Sequence, residues 1–202
     1  MNYPNGRKRQ MNQQSKSVNK NNNIFSNRGM SLEEDINTTN KYYLDTDKAI
    51  IHKKPTPVQI VKVNYPKRSA AMITEAYFKQ ASTTDYNGLY RNRYIDFEAK
   101  ETQNKTLFPL ANIHDHQITH MEKIVKHGGI SFIIIRFRAY NETYFLPAEK
   151  LFLHWYDKLQ GGRKSISYES IKEEGYIIPF HYQARVDYIK IVDSLYIYPD
   201  QD

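Results

Sequence analysis

The chain has 202 residues, no cysteine, 29 Lys+Arg against 22 Asp+Glu and a formal charge of +7 at neutral pH. The missing cysteine excludes disulfides, a thiolate nucleophile and cysteine-ligated zinc, and no apolar run approaches the ~20 residues that a membrane-crossing helix needs. A hydrophobic content of 40% suits one folded body in the cytoplasm, and the positive balance favours a polyanionic partner, nucleic acid first, with no membrane contact.

The chain begins with a segment carrying Arg7, Lys8, Arg9, Lys16 and Lys20, and no acidic residue precedes Glu33. Its Asn, Gln and Ser content leaves little surface to bury, so residues 1–27 read as a disordered basic arm, either a solvated tail or a tracker of phosphates. Positive charge with no apolar stretch behind it is not a secretory signal. Residues 28–202 then form the folded domain.

In "SLEEDINTTNKYY" the spacing predicts a helix, with Ser31 as N-cap and Glu34 at the capping-box position. Leu32, Ile36, Thr39 and Tyr43 form its inner face. "KAIIHKK" and "VQIVKV" are β-rich runs kept apart by Pro55-Thr56-Pro57, since proline cannot continue a ladder. The following "YPKRSAAMITEAYFKQASTTD" is cationic, aromatic and poorly patterned for a core, which suggests an element projecting from the body. "NRYIDFEAKE" alternates: Tyr94, Asp96, Glu98 and Lys100 point one way, Ile95, Phe97 and Ala99 the other.

A helix is predicted in "NIHDHQITHMEKIVKHGG", with Ile113, Gln117, Ile118, Met121, Ile124 and Val125 inward and a glycine cap at its end. "ISFIIIRFRAY" is the most apolar strand and belongs at the centre of a sheet, with a return strand through "TYFLP". "AEKLFLHWYDKLQGG" reads as an amphipathic helix, "GGRKS" as a loop and "ARVDYIKIVDSLYIY" as a closing helix. No internal repeat is visible.

The candidate chemistry lies in "TTDYNGLYRNRYIDFEAKET", residues 83–102. An acidic residue, a Gly-containing turn and a strand bearing Glu-x-Lys suit phosphodiester hydrolysis. Magnesium takes hard oxygen ligands, which Asp85 and Glu98 supply from adjacent strands. Lys100 shares the Glu98 side of the strand, where a cation can orient or deprotonate water and stabilise developing phosphorane charge. Manganese is the natural substitute metal. The bland alternative is an exposed strand on which these charges are simply solvated, and the basic chain and the helix offering Gln117 favour the site.

"NRGMSLEEDINTTNKYY", "PTPVQIVKVNYPKRSAAMITEAYFKQASTTDYNGLYRNRYIDFEAKET", "HDHQITHM" and "GGISFIIIRF" together resemble the RecU family, Holliday junction resolvases of Gram-positive bacteria. The resemblance runs from Asn27 to the C-terminus. It implies an α/β restriction-endonuclease-like (PD-(D/E)xK) fold, a mixed central sheet flanked by helices with a protruding stalk near residues 57–82. It further implies a homodimer whose stalks enter a four-way DNA junction, a metal shell of Thr83, Asp85, Glu98 and Gln117, and Lys100 as the motif lysine. An effect on the recombinase of homologous recombination also belongs to the family.

Beside that resemblance, Arg28, Lys67 and Arg68 read as phosphate contacts. Tyr65, Tyr77 and Phe78 suit stacking on unpaired bases or packing of one stalk on another. Glu33 is either an accessory acid at the metal or a surface charge. His114, His116 and His120 lack the partners of a zinc site, and the Gly161-Gly162 loop lacks P-loop spacing. The expected function is a magnesium-dependent, junction-resolving endonuclease. The rivals are a nuclease of the same fold acting on duplex DNA, and a non-catalytic junction-binding or recombinase-modulating module.

Overall fold

A computed structural model describes residues 31–67, 70–79 and 83–199. The basic arm, Arg28 and Arg68 lie outside the described residues. Helix α1 (Leu32–Asp45) opens with the expected capping box: Ser31 Oγ accepts from the Glu34 amide, and Glu34 Oε2 accepts from the Ser31 amide at 2.8 Å. Both bonds satisfy donors that a helix start leaves without partners. Leu32, Ile36, Thr39 and Tyr43 are buried, as their spacing predicted.

Strands β1 (Ile50–Lys53), β2 (Val58–Asn64), β3 (Met72–Phe78), β4 (Tyr86–Tyr90) and β5 (Arg93–Thr102) follow. The chain continues through β6 (Leu107–Pro109), α2 (Asp115–Lys126), β7 (Ile130–Phe137), β8 (Glu142–Pro147), α3 (Ala148–Leu159), β9 (Ser165–Ser167), α4 (Tyr168–Glu174), β10 (Tyr176–Ile177) and α5 (Ile189–Val192). A six-stranded sheet has the order β1-β4-β5-β7-β8-β10. Only the β5–β7 pair is parallel, with Ile95 opposite Ile130 and Glu98 opposite Ile133, so the sheet is mixed as expected.

All of β7 is buried, which accounts for its unbroken apolar sequence. Phe132 and Ile134 face a cluster with α1 and the C-terminal segment, which includes Leu32, Ile36, Tyr43, Tyr188 and Val192. Ile133, Ile135 and Phe137 face a second cluster with α2 and α3, including Ile118, Met121, Leu151 and Trp155. Helices therefore cover both faces of the sheet. Phe97 stacks between Tyr86 and Phe132, with ring centroids 4.9 and 4.7 Å away, and holds β4, β5 and β7 in register.

Two local expectations change. The turn of the β4–β5 hairpin is made by Arg91 and Asn92, both at positive φ, the backbone of a type I′ turn. Gly88 lies inside β4 instead, where a Cβ would come within 2.0 Å of the Ile50 carbonyl oxygen, so the glycine permits close approach of β1. The closing helix starts only at Ile189 and passes into a wide turn over Asp193–Ile197. Before it, the Val186 amide donates to Thr39 Oγ1 at 3.0 Å and Val186 bridges Phe180, so that backbone is committed to neighbours.

Strands β2 and β3 form a separate two-stranded antiparallel ribbon. It leaves the body after Pro57 and carries no buried residue among those described. Among the described residues, no helix is long and apolar enough to cross a membrane.

Candidate active site

Alternation along β5 sends Ile95 and Phe97 into the α1-side cluster, leaving Asp96, Glu98 and Lys100 on the face covered by α2. That face is interior: Asp96 and Glu98 are both 0% exposed. Ionised carboxylates are costly there unless charge or hydrogen bonds compensate them. The two residues meet this demand in opposite ways.

Asp96 is enclosed by donors. Its Oδ2 is 2.6 Å from Lys54 Nζ and 3.2 Å from the Tyr94 hydroxyl and His120 Nε2, while Thr84 Oγ1 donates to Oδ1. Its backbone carbonyl accepts from Ser131 Oγ of β7 at 3.0 Å. Glu98 has an ion pair, with Lys100 Nζ 2.5 Å from Oε1, and it faces the carboxyl of Asp85. Neither Glu98 oxygen takes part in a hydrogen bond of acceptable geometry. Burial, then the negative charge of Asp85, push the Glu98 carboxyl up to about 8 against the pull of Lys100.

Asp85, Lys100 and Glu101 line an open cleft of about 430 Å³ together with Ser31, Glu33 and Glu34 at the start of α1. Glu101 fixes that helix start, since its Oε1 accepts from the Leu32 amide at 2.6 Å. Asp85 stands just ahead of β4, and its carbonyl accepts from the Lys54 amide at 2.7 Å. The cleft thus gives Asp85 and Lys100 access to solvent, and both interact with the buried Glu98, which does not itself line it. Glu33 is at its rim and pairs with Lys53 Nζ at 2.5 Å.

The other expected residues have these places. Thr83 is half-buried beside Thr84, and its Oγ1 is 3.3 Å from the Thr84 carbonyl. Gln117 is buried, and its Oε1 accepts from the His114 amide at 3.0 Å, so it has a structural partner in the cap of α2. Lys67, Tyr77 and Phe78 are exposed on the ribbon, Phe78 to 83%. The Tyr77 hydroxyl donates to Glu75 at 2.8 Å.

His114 and His116 stack at 5.4 Å, whereas His120 turns to Asp96. Among the described residues, no three of His, Cys, Asp and Glu gather as a metal-holding group. A cation at the cleft would rest on two carboxylates, Asp85 and Glu98, with neutral oxygens completing the set. Magnesium binds in this way, through one or two carboxylates, waters and substrate phosphate. The buried Glu98 carboxyl, facing a second acidic residue with one cation beside it, fits such a hard cation.

Sequence reasoning assigned Asp96 no role, although its phase with Glu98 and Lys100 was visible. Lys54 and Thr84 carried no signal, because only the sheet brings them to Asp96. The same holds for Arg136, which pairs with Asp35 at 2.7 Å and ties β7 to α1.

The family model for Recombination protein U matches residues 27–194 of this chain. The chain is 62% identical over 201 residues to a protein of Oceanobacillus iheyensis, covering 97% of this chain and 100% of that one. It is 63% identical over 172 residues to one of Geobacillus kaustophilus, covering 85% and 86%, and 61% identical over 175 residues to one of Bacillus subtilis, covering 87% and 84%. All three are named Holliday junction resolvase RecU. The solved structure of Archaeoglobus fulgidus Hjc, a Holliday junction resolvase, aligns with 64% of this chain and 84% of its own at 10% identity and a TM-score of 0.38, too distant to bear on the reading.

Proposed function

The chain belongs to the RecU family, and from that premise we propose that it is a structure-selective endonuclease resolving Holliday junctions in homologous recombination and repair. The observation that supports a hydrolytic site is the buried Glu98 carboxyl, paired with Lys100 and facing the second acidic group Asp85, with Asp85 and Lys100 both lining an open cleft.

Asp85 and Glu98 would hold magnesium, or manganese in its place, with Thr83 and Gln117 contributing neutral oxygens. When bound, the cation supplies Lewis-acid polarisation of the scissile phosphate and a lowered pKa for bound water. Lys100 is placed by its ion pair with Glu98, where its ammonium can orient the attacking water and balance charge building on the phosphoryl oxygens. Attack of water on phosphorus with loss of the 3′ oxygen leaves a 5′-phosphate and a 3′-hydroxyl.

Resolution requires two symmetric cuts, which a C2 homodimer provides through a pair of equivalent sites. The β2–β3 ribbon, with Lys67, Tyr77 and Phe78 exposed, serves as the stalk that enters the open centre of the junction. Arg28 and Arg68 are assigned to phosphates, and Glu33 to an accessory position at the cleft. Contact with the recombinase and a cytoplasmic location complete the reading.

The test is cleavage of a synthetic mobile four-way junction and a linear duplex, each with and without magnesium. Paired symmetric nicks in the junction alone, only with the metal, are expected. Equal cleavage of duplex would reassign the chain to a general nuclease, and junction binding without cleavage to a non-catalytic module.

A further inference from the structure

We propose that Asp96 is a positioning residue of this site: its buried carboxylate clamps both roots of the β2–β3 ribbon to β5 through Lys54 and Thr84, and so sets Asp85 against Glu98. The inference rests on Asp85 and Glu98 being the metal-holding pair, and it concerns what brings them together.

Asp85 is poorly fixed by the sheet itself. It precedes the first paired residue of β4, Tyr86, and follows the ribbon strand β3 in the chain. Two contacts pin it. The Lys54 amide donates to the Asp85 carbonyl at 2.7 Å, and Thr84, its covalent neighbour, donates from Oγ1 to Asp96 Oδ1. Lys54 is itself held, because its Nζ lies 2.6 Å from Asp96 Oδ2 and 3.0 Å from Thr84 Oγ1. Lys54 lies where the chain leaves β1 for the ribbon, and Thr84 where it returns. Both crossings of the ribbon root therefore converge on one carboxylate.

That carboxylate cannot drift. Tyr94 and His120 occupy Oδ2 from β5 and α2, and Ser131 of β7 binds the Asp96 carbonyl. Asp96 and Glu98 belong to the same strand, so a fixed distance separates the clamp from the proposed metal-holding residue. Magnesium demands near-octahedral ligands at roughly 2.0–2.1 Å and tolerates little misplacement. A segment displaced at Thr84 would carry Asp85 out of that geometry while leaving Glu98 in place. The clamp also joins the ribbon to the site, since a ribbon seated in DNA is restrained through the same two roots.

The experiment uses the full chain with Thr84→Val, which keeps side-chain volume and the Lys54–Asp96 ion pair but removes the hydroxyl. Thr84→Ser is the conservative rescue, and Thr84→Ala serves if the valine protein does not fold. Magnesium binding is measured by calorimetry without DNA, and single-turnover junction cleavage is measured across magnesium concentrations. Groups supporting metal ligands typically contribute 10–100-fold to metal affinity, so the magnesium midpoint of Thr84→Val should rise about tenfold in both measurements. Excess magnesium should restore the single-turnover rate, junction affinity should be unchanged, and Thr84→Ser should behave as wild type. A protein with a lowered melting temperature but unchanged magnesium midpoint and single-turnover rate would overturn the inference and leave the network a stability device. Wild-type protein that binds magnesium but never cuts would instead refute the proposed activity, while calorimetry still decides the role of the clamp.

Discussion

Strand β5 buries Asp96 and Glu98, whereas the β2–β3 ribbon exposes Val58, Ile60, Met72, Ile73, Tyr77 and Phe78. Each region inverts the usual partition of side chains, and each inversion is costly for the isolated chain. The difference lies in what relieves the cost. Donors from neighbouring elements already satisfy Asp96 on β5, and Glu98 fits a cation. The described part of the ribbon pairs with no strand of the six-stranded sheet and has no buried residue, so its apolar surface points to binding: unpaired bases, or a second ribbon.

The largest effects should come from breaking the β5 side. Asp85→Asn or Glu98→Gln should abolish junction cleavage in magnesium with junction affinity largely kept, because binding rests on phosphate contacts elsewhere. Near-wild-type cleavage by either variant would sink the metal assignment. Glu98→Gln also has a stability signature in chelator. Burial and the charge of Asp85 push the Glu98 carboxyl up from its ordinary 4.5 to about 8, so its contribution is complete below 4.5 and lost as pH rises through about 8. Metal-free protein should therefore lose melting temperature across that window. The glutamine variant should show a flatter profile and melt higher at the alkaline end.

Lys100→Ala should lower the single-turnover rate by roughly 10²-fold or more, the scale of general acid–base and electrostatic effects, with little change in junction affinity. If affinity falls and the rate does not, Lys100 is a phosphate contact only. On the ribbon side, replacing residues 58–78 by a tight turn should leave a folded protein that still binds magnesium. Its affinity ratio of junction over duplex, taken at one salt concentration, should shrink about tenfold, the worth of one or two stacked bases. An unchanged ratio would move selectivity from the ribbon to the body.

The smallest effect concerns Gln117, which serves the α2 cap and is proposed for the metal. Gln117→Ala should cost about 1 kcal/mol of stability as a lost cap. A loss of cleavage beyond what that destabilisation explains would support its place at the metal. Full activity with only a lower melting temperature would confine it to the cap.

Much of the molecule was legible in local pattern. The capping box at Ser31, the proline break before the ribbon, the alternation of β5 and the unbroken apolar run of β7 each depend on residues close in sequence, whose periodicity records which face is buried. The pairing of Glu98 with Lys100 was legible for the same reason, since residues two apart on a strand share a side. The C-terminal helix was overextended from its sequence, because the backbone before Ile189 is bound to Thr39 and Phe180, partners no local window contains.

The sequence by itself determined α1, α2, α3, the strands β1, β5, β7 and β8, the polar side of β5 and the family, because these are written in short-range spacing and contiguous motifs. The tertiary structure decided which of the carboxylates on that polar side is satisfied. Asp96 and Glu98 look alike along the strand. Lys54, Thr84 and His120 come from other segments and all reach the first, leaving the second in the interior with Lys100 and facing the like charge of Asp85. Burial and long-range donors are properties of the packed sheet, and they, not residue type, separate a held carboxylate from one suited to a cation.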